Sequence, residues 1–390
     1  MKYVNANTIL PAKLLTMIQK YYQGGYLYIP KENDNVERPK TTYKIELERR
    51  NQYIYLKHLE GRTNIQLGTI YHLSESSVRR IIAKERVRYQ NMKEMIEQIL
   101  PLWEIKGEQI TQIYPSSWEI DHSYVLKVYD NKDQLERNIQ ILTILLHCDI
   151  PAAEVMLTKT GEKYATHQDT YFFLSRKLPG NNISDPRDKA MAWKMGRAIA
   201  RLHNAFLKIE KEVTFWDNSL LQEMKGWILE NLTNNKWQPI SETEYSEAVT
   251  QLGQVYDALP RQLIHRDVHF GNFLFLDGEF SGYIDFDLSQ KNIRIFDICY
   301  FLTGVLAEET GNPLTQKEWL GIAEAVISGY ESITQLSETE KGAIPCVMEC
   351  IEILFVAYFT GIEDTKHAND AYNVFHFIQN CFSHIPMSQL

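Results

Sequence analysis

The sequence contains few cysteines, five among 390 residues, and no regular spacing relates them. An odd number of scattered cysteines in apolar segments excludes the disulfide framework of a small secreted domain. Cys346 and Cys350 lie four residues apart, but no further Cys or His pair completes a zinc pattern, so we expect both to be buried. The cysteines therefore predict a protein of the reducing cytoplasm.

Long hydrophobic runs are also missing. The N-terminus lacks a basic start followed by an apolar stretch and a small-residue cleavage site, so we expect no signal peptide. The most apolar late stretch, 343–361, is interrupted by Glu349 and Glu352. That stretch is typical of a buried helix rather than of a membrane span, and we expect no membrane association.

The charge is distributed unevenly along the chain. The net charge of −9 conceals a basic segment, 37–93, in which thirteen Lys and Arg face six Glu and no Asp. Its local balance of +7 leaves −16 for the remainder. This segment is therefore suited to a different electrostatic partner from that of the rest of the chain.

The hydrophobic pattern predicts several parts. Helical spacing runs from 41 to 92, with two short helices joined at 71–74. Strands are then predicted at 108–114, 124–129 and 171–175, and an amphipathic helix at 134–147. Beyond residue 214 the chain is mainly helical. Because single cores stop growing near about 250 to 300 residues, a chain of 390 is expected to hold more than one domain.

The segment 263–287, LIHRDVHFGNFLFLDGEFSGYIDFD, carries the chemistry. Phosphoryl transfer needs a carboxylate to orient the acceptor hydroxyl, a metal to neutralise phosphate charge and a cation to hold the phosphates. Asp267 is followed by Asn272, and a turn at Asp277-Gly278 would return Asp285 beside Asn272. One carboxylate and one amide oxygen could then share Mg²⁺, which prefers such ligands.

HRDVHFGN followed by YIDFD resembles the catalytic core of the aminoglycoside phosphotransferase and choline kinase family. The resemblance implies an α+β, bilobal protein-kinase-like fold, with a small β-rich N-lobe at 101–178 and a large helical C-lobe at 179–390. It also implies Asp267 as the catalytic base and Asn272 and Asp285 as magnesium ligands. His265, His269, Asp287 and Asp297 match the supporting positions of the family.

The same resemblance extends over most of 106–380 and assigns a nucleotide site. Lys127 in VLKVY is similar to the strand lysine that holds the phosphates, and Glu136 fits the helix glutamate that anchors it. The stretch 172–180 looks like the hinge that receives the adenine. Four residues complete the predicted contacts: Ser175 and Lys177 at the hinge, and Ser116 and Ser117 in the glycine-free phosphate loop.

The basic segment has the features of a helix-turn-helix within an all-α N-terminal domain, 1–100. Gly68 is small enough for a close helix crossing, and Ser74 is a helix cap. The segment resembles bacterial helix-turn-helix regulators such as the Mor-like group. Five residues of the second helix are expected to face DNA: Ser76, Ser77, Arg79, Arg80 and Lys84. A helical accessory or dimerisation domain with a solvated basic face is the alternative.

Two hypotheses about function remain open from the sequence. The first is a kinase that uses ATP or GTP with Mg²⁺ to phosphorylate a hydroxyl of a small molecule, such as an aminoglycoside, amino alcohol or sugar. A cationic acceptor would suit the acidic remainder of the chain. The second is a DNA-binding regulator whose kinase-like domain senses a nucleotide or metabolite without efficient turnover. DNA binding would imply a homodimer on a two-fold site.

Overall fold

The computed structural model describes residues 42–71, 73–182, 187–307 and 313–383, together with Leu15. The chain divides into two compact units, Met1–Ile45 and Glu46–Leu390. Nearly all of the first unit lies outside the described residues, and so do His72 and the predicted start of the helical segment at Thr41.

Three helices precede the sheet, α1 (Thr42–Leu59), α2 (Asn64–Ile70) and α3 (Glu75–Ile99). The predicted turn joins α2 to α3, and Ser74 caps α3 by accepting a hydrogen bond from the Ser77 amide. A Cβ atom at Gly68 would stand 2.7 Å from the Leu73 carbonyl oxygen, so only glycine fits beneath this turn. Leu67 and Val78 form a small core with Ile54 of α1.

A five-stranded antiparallel sheet follows. Its strands are β1 (Ile110–Tyr114), β2 (Ser117–Ile120), β3 (Tyr124–Tyr129), β4 (Ala165–His167) and β5 (Thr170–Arg176), in the order β1-β2-β3-β5-β4. Helix α4 (Lys132–His147) connects β3 to β4. The strands predicted at 108–114, 124–129 and 171–175 and the helix at 134–147 are confirmed, whereas β2 and β4 were not predicted.

The two faces of the sheet pack differently. Trp118, Leu126 and Leu174 form one core with Ile96 and Ile99 of α3. On the opposite face, Phe173 joins the large core of the following helices. The sheet therefore has the end of α3 on one side and the large core of the following helices on the other.

The remaining chain is mostly helical. Its helices are α5 (Lys189–Glu212), α6 (Leu220–Glu223), α7 (Leu229–Asn234), α8 (Glu242–Val255), α9 (Ile295–Ala307), α10 (Gln316–Glu331), α11 (Glu338–Gly361) and α12 (Thr365–Phe382). Two short hairpin-like sheets interrupt them, β6 (Arg261–Ile264) with β9 (Gln290–Ile293), and β7 (Phe273–Leu276) with β8 (Glu279–Tyr283). In the described part, α11 is long and apolar enough to span a membrane, but most of it is buried, as predicted for 343–361.

Candidate active site

A buried aspartate holds the loop that follows β6. Asp297, at the start of α9, accepts hydrogen bonds from the backbone amides of His265 at 2.8 Å and Arg266 at 2.9 Å. Arg266 has a φ of +76°, which a side chain other than glycine rarely adopts, and these two bonds help to hold it there. His203 of α5 donates to the same carboxylate at 3.0 Å. Asp297 thus lies at the supporting position that the sequence predicts.

His265 links this loop to the residue that directly follows β8. Its Nε2 atom lies 3.1 Å from the Ile284 carbonyl, and the Asp267 amide approaches its Nδ1 atom at 3.4 Å. These two contacts fix the orientation of the His265 ring. Because His265 is fully buried, it positions the residues on either side of it and cannot touch a substrate.

Asp267 presents its carboxylate at the end of the loop. Its Oδ1 atom accepts from the Tyr300 hydroxyl at 2.9 Å, and its Oδ2 atom accepts from the Asn272 amide at 3.2 Å. The Nε2 atom of His269 lies 3.5 Å from Oδ2. Burial acts to raise the pKa of Asp267, but His269 and Tyr300 outweigh it and the pKa lies below the usual value. The carboxylate is therefore ionised and oriented at neutral pH.

Asn272 and Asp285 lie side by side, as the sequence predicts. The Ile284 amide donates to the Asn272 carbonyl at 3.0 Å, which brings the end of β8 next to the loop. The Asn272 side-chain nitrogen is engaged by Asp267, which leaves its oxygen for a cation. Asp285 is 46% exposed. One amide oxygen and one accessible carboxylate fit Mg²⁺, which keeps water and phosphate as its other ligands.

Asp285 is ionised. Burial acts to raise its pKa, but the charge of Lys127 and hydrogen bonds to it lower the pKa far below the usual value. Among the described residues, no group of three or more His, Cys, Asp or Glu side chains could hold a metal ion. A metal here would therefore depend on Asn272, Asp285 and the bound phosphates.

Lys127 has different partners from the predicted one. Its Nζ atom lies 2.9 Å from Asp285 and 3.1 Å from Asp287. The prediction that Glu136 anchors Lys127 is wrong, because Glu136 lies on the outer side of α4, where it pairs with Lys132 at 3.4 Å and accepts from Tyr164. The apolar residues of α4 face the core, and the helical period turns position 136 away from it.

Asp287 takes the role expected of Glu136. Its second oxygen accepts hydrogen bonds from the Tyr129 hydroxyl at 2.8 Å and from the Asn138 side-chain amide. Burial, together with the neighbouring Asp285, raises the pKa of Asp287. Asp287, Tyr129 and Asn138 thus form a buried polar cluster that fixes the end of Lys127.

Asn138 and Tyr300 also belong to the site and were not predicted from the sequence. Asn138 is the single polar side chain among the buried residues of α4, and that exception to an apolar face is a signal that could have found it. Tyr300 lies three residues after Asp297, on the same helix α9, and so on a neighbouring face. Its proximity to Asp267 follows only from how α9 packs against the loop.

The predicted phosphate loop is a two-residue turn between β1 and β2. Ser117 is buried and stands directly opposite Lys127 in the β2–β3 register, so both side chains lie on one face of the sheet. Ser116 is in the turn itself, and its carbonyl accepts from the Val128 amide at 2.9 Å. The structure therefore places Ser117 beside Lys127, and the contacts of Ser116 and Ser117 with phosphate stay a prediction.

The predicted hinge contacts have protein partners. The Ser175 hydroxyl donates to the Val125 carbonyl at 3.3 Å, and Ser175 is buried between β3 and its neighbours. Lys177 forms an ion pair with Glu119 of β2, and this pair lowers the pKa of Glu119. Both residues lie at the end of β5, but their side chains are directed to the sheet. A role of these two side chains at the adenine stays a prediction.

The basic helix α3 presents part of the predicted DNA-contacting set. Ser76, Arg79, Arg80 and Lys84 are exposed, and Arg79 pairs with Glu75 one turn earlier. Ser77 is half-buried, and its side chain is engaged by the capping residue Ser74 at 2.9 Å. The exposed cations thus lie on the first turns of α3.

The fold and the site together define a kinase-like phosphotransferase, in which a sheet and a helical lobe bring Lys127 together with Asp267, Asn272 and Asp285. Residues 112–336 match the phosphotransferase enzyme family, APH. This match covers more than half of the chain, and the chain belongs to that family.

Individual relatives agree with the family. The chain is 26% identical over 218 residues to a homoserine kinase of Gluconobacter oxydans (strain 621H), a match that covers 54% of this chain and 64% of that one. It spans slightly less than two thirds of that relative. It is also 39% identical over 85 residues to the uncharacterized protein YraL of Bacillus subtilis (strain 168), covering 21% of this chain and 97% of YraL.

Solved structures show the same fold. An amicoumacin kinase, hAmiN, in complex with AMP-PNP, Ca²⁺ and Ami superposes with a TM-score of 0.58 at 18% identity, covering 78% of this chain and 97% of that one. A microcompartment-associated aminopropanol kinase gives a TM-score of 0.57 at 15% identity, covering 74% and 97%. At these identities the superpositions show the fold alone. The family match does not favour the alternative of a sensor without turnover.

Proposed function

We propose that this protein is an ATP-dependent kinase that transfers the γ-phosphate to a hydroxyl group of a small molecule. The observation that carries the proposal is that the loop with Asp267 and Asn272 lies next to the end of β8, where Asp285 pairs with Lys127. These groups supply an oriented base, two oxygen ligands and a cation, which are the parts that phosphoryl transfer requires. GTP as co-substrate is the alternative to ATP.

Each of these residues has its own role in the transfer of the phosphate. Asp267 accepts a hydrogen bond from the acceptor hydroxyl and takes its proton as the hydroxyl oxygen bonds to the γ-phosphorus. The bond between the γ-phosphorus and the bridging oxygen breaks, and ADP leaves with that oxygen. Lys127 holds the phosphates, and Asn272 and Asp285 would hold Mg²⁺, which supplies positive charge to the triphosphate when bound. Tyr300 and His269 keep the Asp267 carboxylate ionised and in place.

For the acceptor, we favour a small hydroxylated amine. The aromatic pair Tyr300 and Phe355, with ring centres 5.8 Å apart, stands beside Asp267, and aromatic faces attract cations. The acidic remainder of the chain would concentrate such a molecule. The names of the relatives point to the same chemistry, since homoserine and aminopropanol each carry an amine and a hydroxyl.

The test is a screen for metal-dependent ADP release with homoserine, aminopropanol, an aminoglycoside and a simple sugar as acceptors. We expect turnover with at least one of the amines, and a loss of about 100-fold or more in kcat for Asp267→Ala. Asp285→Asn should raise the Mg²⁺ concentration needed for half-maximal rate.

Asp277→Asn is the matched control for these aspartate variants. Asp277 lies in the exposed β7–β8 turn with a φ of +51°, which asparagine tolerates, so its variant should behave like wild type. ADP release that survives Asp267→Ala unchanged, or that needs no divalent metal, would contradict the proposal.

We also propose that the α2–α3 pair binds DNA, which would require a homodimer for a two-fold site. The exposed cations Arg79, Arg80 and Lys84 at the start of α3 favour this second role, because such side chains reach phosphates and base edges. A double variant, Arg79→Ala with Arg80→Ala, should abolish salt-sensitive retention on duplex DNA. Lys57→Ala with Arg62→Ala, two exposed cations outside α3, is the control. Equal retention of both double variants would refute DNA recognition by α3.

A further inference from the structure

Strand β2 connects the candidate nucleotide site with the helices that precede the sheet. Ser117 stands opposite Lys127 and shares the face of the sheet on which Lys127 pairs with Asp285. Because side chains alternate along a strand, the next residue, Trp118, faces the opposite side. Trp118 is buried there in the core that includes the end of α3. A displacement of β2 at Ser117 is therefore also a displacement of Trp118.

Packed aromatic rings continue this connection to α1. The Trp118 ring lies 5.0 Å from the ring of Tyr89 in α3, and Tyr89 lies 5.6 Å from the ring of Tyr55 in α1. Tyr55 is buried, and Tyr89 packs against the core of the helical segment as well as the core on the outer face of the sheet. Because closely packed rings cannot move independently, a shift of Trp118 is passed on to both helices.

Hydrogen bonds fix the end of α3 to the sheet. In the turn that directly follows α3, the Trp103 indole N–H donates to the Met156 carbonyl at 3.0 Å. The Met156 amide in turn donates to the Leu174 carbonyl of β5 at 2.8 Å. The Lys159 amide also donates to the Leu102 carbonyl at 2.8 Å. The end of α3 is therefore a fixed point about which the rest of the helix can tilt.

The length of α3 amplifies such a tilt. Tyr89 lies ten residues before Ile99, the last residue of α3, which is about 15 Å along the helix axis. Arg79 lies twenty residues before Ile99, at about 30 Å. A tilt that moves Tyr89 therefore moves Arg79 about twice as far. The exposed cations at the start of α3 respond most to a displacement of Trp118.

Nucleotide binding changes the surroundings of Lys127. Its Nζ atom pairs with Asp285 at 2.9 Å and with Asp287 at 3.1 Å. In the proposed reaction, phosphates bind Lys127 and a metal binds Asp285, so this ion pair rearranges when both arrive. Ser117 is buried directly beside Lys127 in the β2–β3 ladder, and it must adjust to the new position of the lysine side chain.

We propose that nucleotide binding is transmitted through β2 and these rings to helices α1 to α3 and changes their affinity for DNA. This inference rests on the proposed kinase function and on the proposed DNA binding by α2 and α3. The shift of β2 displaces Trp118 and Tyr89, and the resulting tilt repositions the basic start of α3. Because coupling between two binding sites is reciprocal, DNA changes the nucleotide affinity by the same factor.

Amide hydrogen exchange of the full chain, with and without AMP-PNP and Mg²⁺, tests the transmission. In wild type we expect AMP-PNP to slow exchange in β2 and β3 and to change the exchange rates in α1 by about fivefold. Tyr89→Leu keeps an apolar side chain but removes the ring contacts to Tyr55 and Trp118. It should keep the response of the sheet and lose the response of α1. Tyr55→Leu breaks the same series of rings at its far end and should behave alike.

Val87→Ala is the matched control, because Val87 is an exposed apolar residue on the same helix, and this variant should keep both responses. A wild-type protein in which only the sheet responds would overturn the inference, and so would an α1 response that survives in Tyr89→Leu. The response of the sheet reports nucleotide binding by itself. Its absence in wild type would contradict the kinase function, and the inference with it.

Retention on a mixed-sequence DNA duplex, measured at one salt concentration with and without AMP-PNP and Mg²⁺, tests the consequence. The dissociation constant of wild type should differ by about fivefold between the two states, and that of Tyr89→Leu by less than about twofold. Equal affinity of wild type in both states would overturn the regulatory role. A lack of retention in both states would refute DNA binding by α3, and this result is independent of the kinase function.

Discussion

At the scale of single residues, the geometry of this site depends on buried polar side chains that hold charged side chains in place. Asp287 illustrates this: one oxygen pairs with Lys127 and the other accepts from Tyr129 and Asn138. Because these groups are buried, loss of one partner leaves the others unsatisfied. The functional geometry therefore depends on residues that do not touch the reacting atoms.

The two candidate anchors of Lys127 can be separated by mutation. Asp287→Asn should lower kcat about tenfold or more, since Lys127 loses a charged partner that fixes its Nζ atom. Glu136→Gln should leave kcat within about twofold of wild type, because its contacts are with Lys132 and Tyr164 on the outer side of α4. Steady-state kinetics with the preferred acceptor measures both, and the reverse order would restore Glu136 as the anchor.

The buried carboxyl group of Glu352 in α11 makes the stability of the protein depend on pH. Burial raises its pKa from 4.5 to about 8, so between these values the native protein keeps a proton that the unfolded chain has released. The contribution of Glu352 to the free energy of unfolding is therefore constant below pH 4.5. It falls by on the order of a few kcal/mol as the pH rises towards 8.

Glu352→Gln removes this titration. Its Tm should fall less than that of wild type between pH 5 and pH 8.5, measured by differential scanning calorimetry. Glu97→Gln, at an exposed position of α3, should follow the wild-type curve. Parallel curves for wild type and Glu352→Gln would show that Glu352 is not the titrating group.

At the scale of secondary-structure elements, helices α5 and α10 cross at glycines. A Cβ atom at Gly196 would stand 1.9 Å from the Val326 carbonyl oxygen, and one at Gly329 would stand 2.0 Å from that of Trp193. No side chain fits between backbones this close. The crossing matters for the site because α5 also carries His203, which supports Asp297 and the catalytic loop.

Gly196→Ala should lower the free energy of unfolding by about 3 kcal/mol, because the helices must move apart. It should also lower kcat through the displaced His203. Gly253→Ala is the control: this glycine is exposed in α8 with no atom within 4 Å of its added Cβ, and alanine should stabilise that helix by up to about 1 kcal/mol. Urea denaturation gives both values, and a neutral Gly196→Ala would show that the crossing can relax.

At the scale of the whole molecule, helix α3 joins two cores. Val78 and Ile82 at its start belong to the core of the helical segment, and Ile96 and Ile99 at its end belong to the core on the outer face of the sheet. Tyr89 contacts both. The predicted boundary between residues 100 and 101 stays a prediction, but α3 ends directly before it and packs its last turns against the sheet that follows.

Tyr89→Ala should weaken that link. We expect faster amide hydrogen exchange both in α1 and in β2, since the Tyr55–Tyr89–Trp118 contacts connect them. Val87→Ala is the control on the same helix, because Val87 is 60% exposed, and its exchange pattern should match wild type. A change confined to α3 would show that the helical segment and the sheet open independently.

Much of the secondary structure was accessible from the sequence, and the exceptions have physical causes. The amphipathic patterns of α4 and α5 and the strand β3 are local properties of the chain. Strand β2, only four residues long and directly after Pro115-Ser116, has little pattern of its own and exists because β1 and β3 pair with it on either side. Strand β4 has three residues and depends on β5 in the same way.

The sequence by itself determined the candidate catalytic set, because Asp267, Asn272 and Asp285 lie in one segment whose turn at Asp277-Gly278 brings them together. Only the tertiary structure decided which carboxylate holds Lys127. Asp287 is 160 residues away from Lys127 in the sequence, and the turn of helix α4 directs Glu136 away from Lys127 and towards Lys132. Local hydrogen bonds and backbone preferences are written in short stretches of sequence, whereas long-range partners are selected by burial and packing of the complete chain.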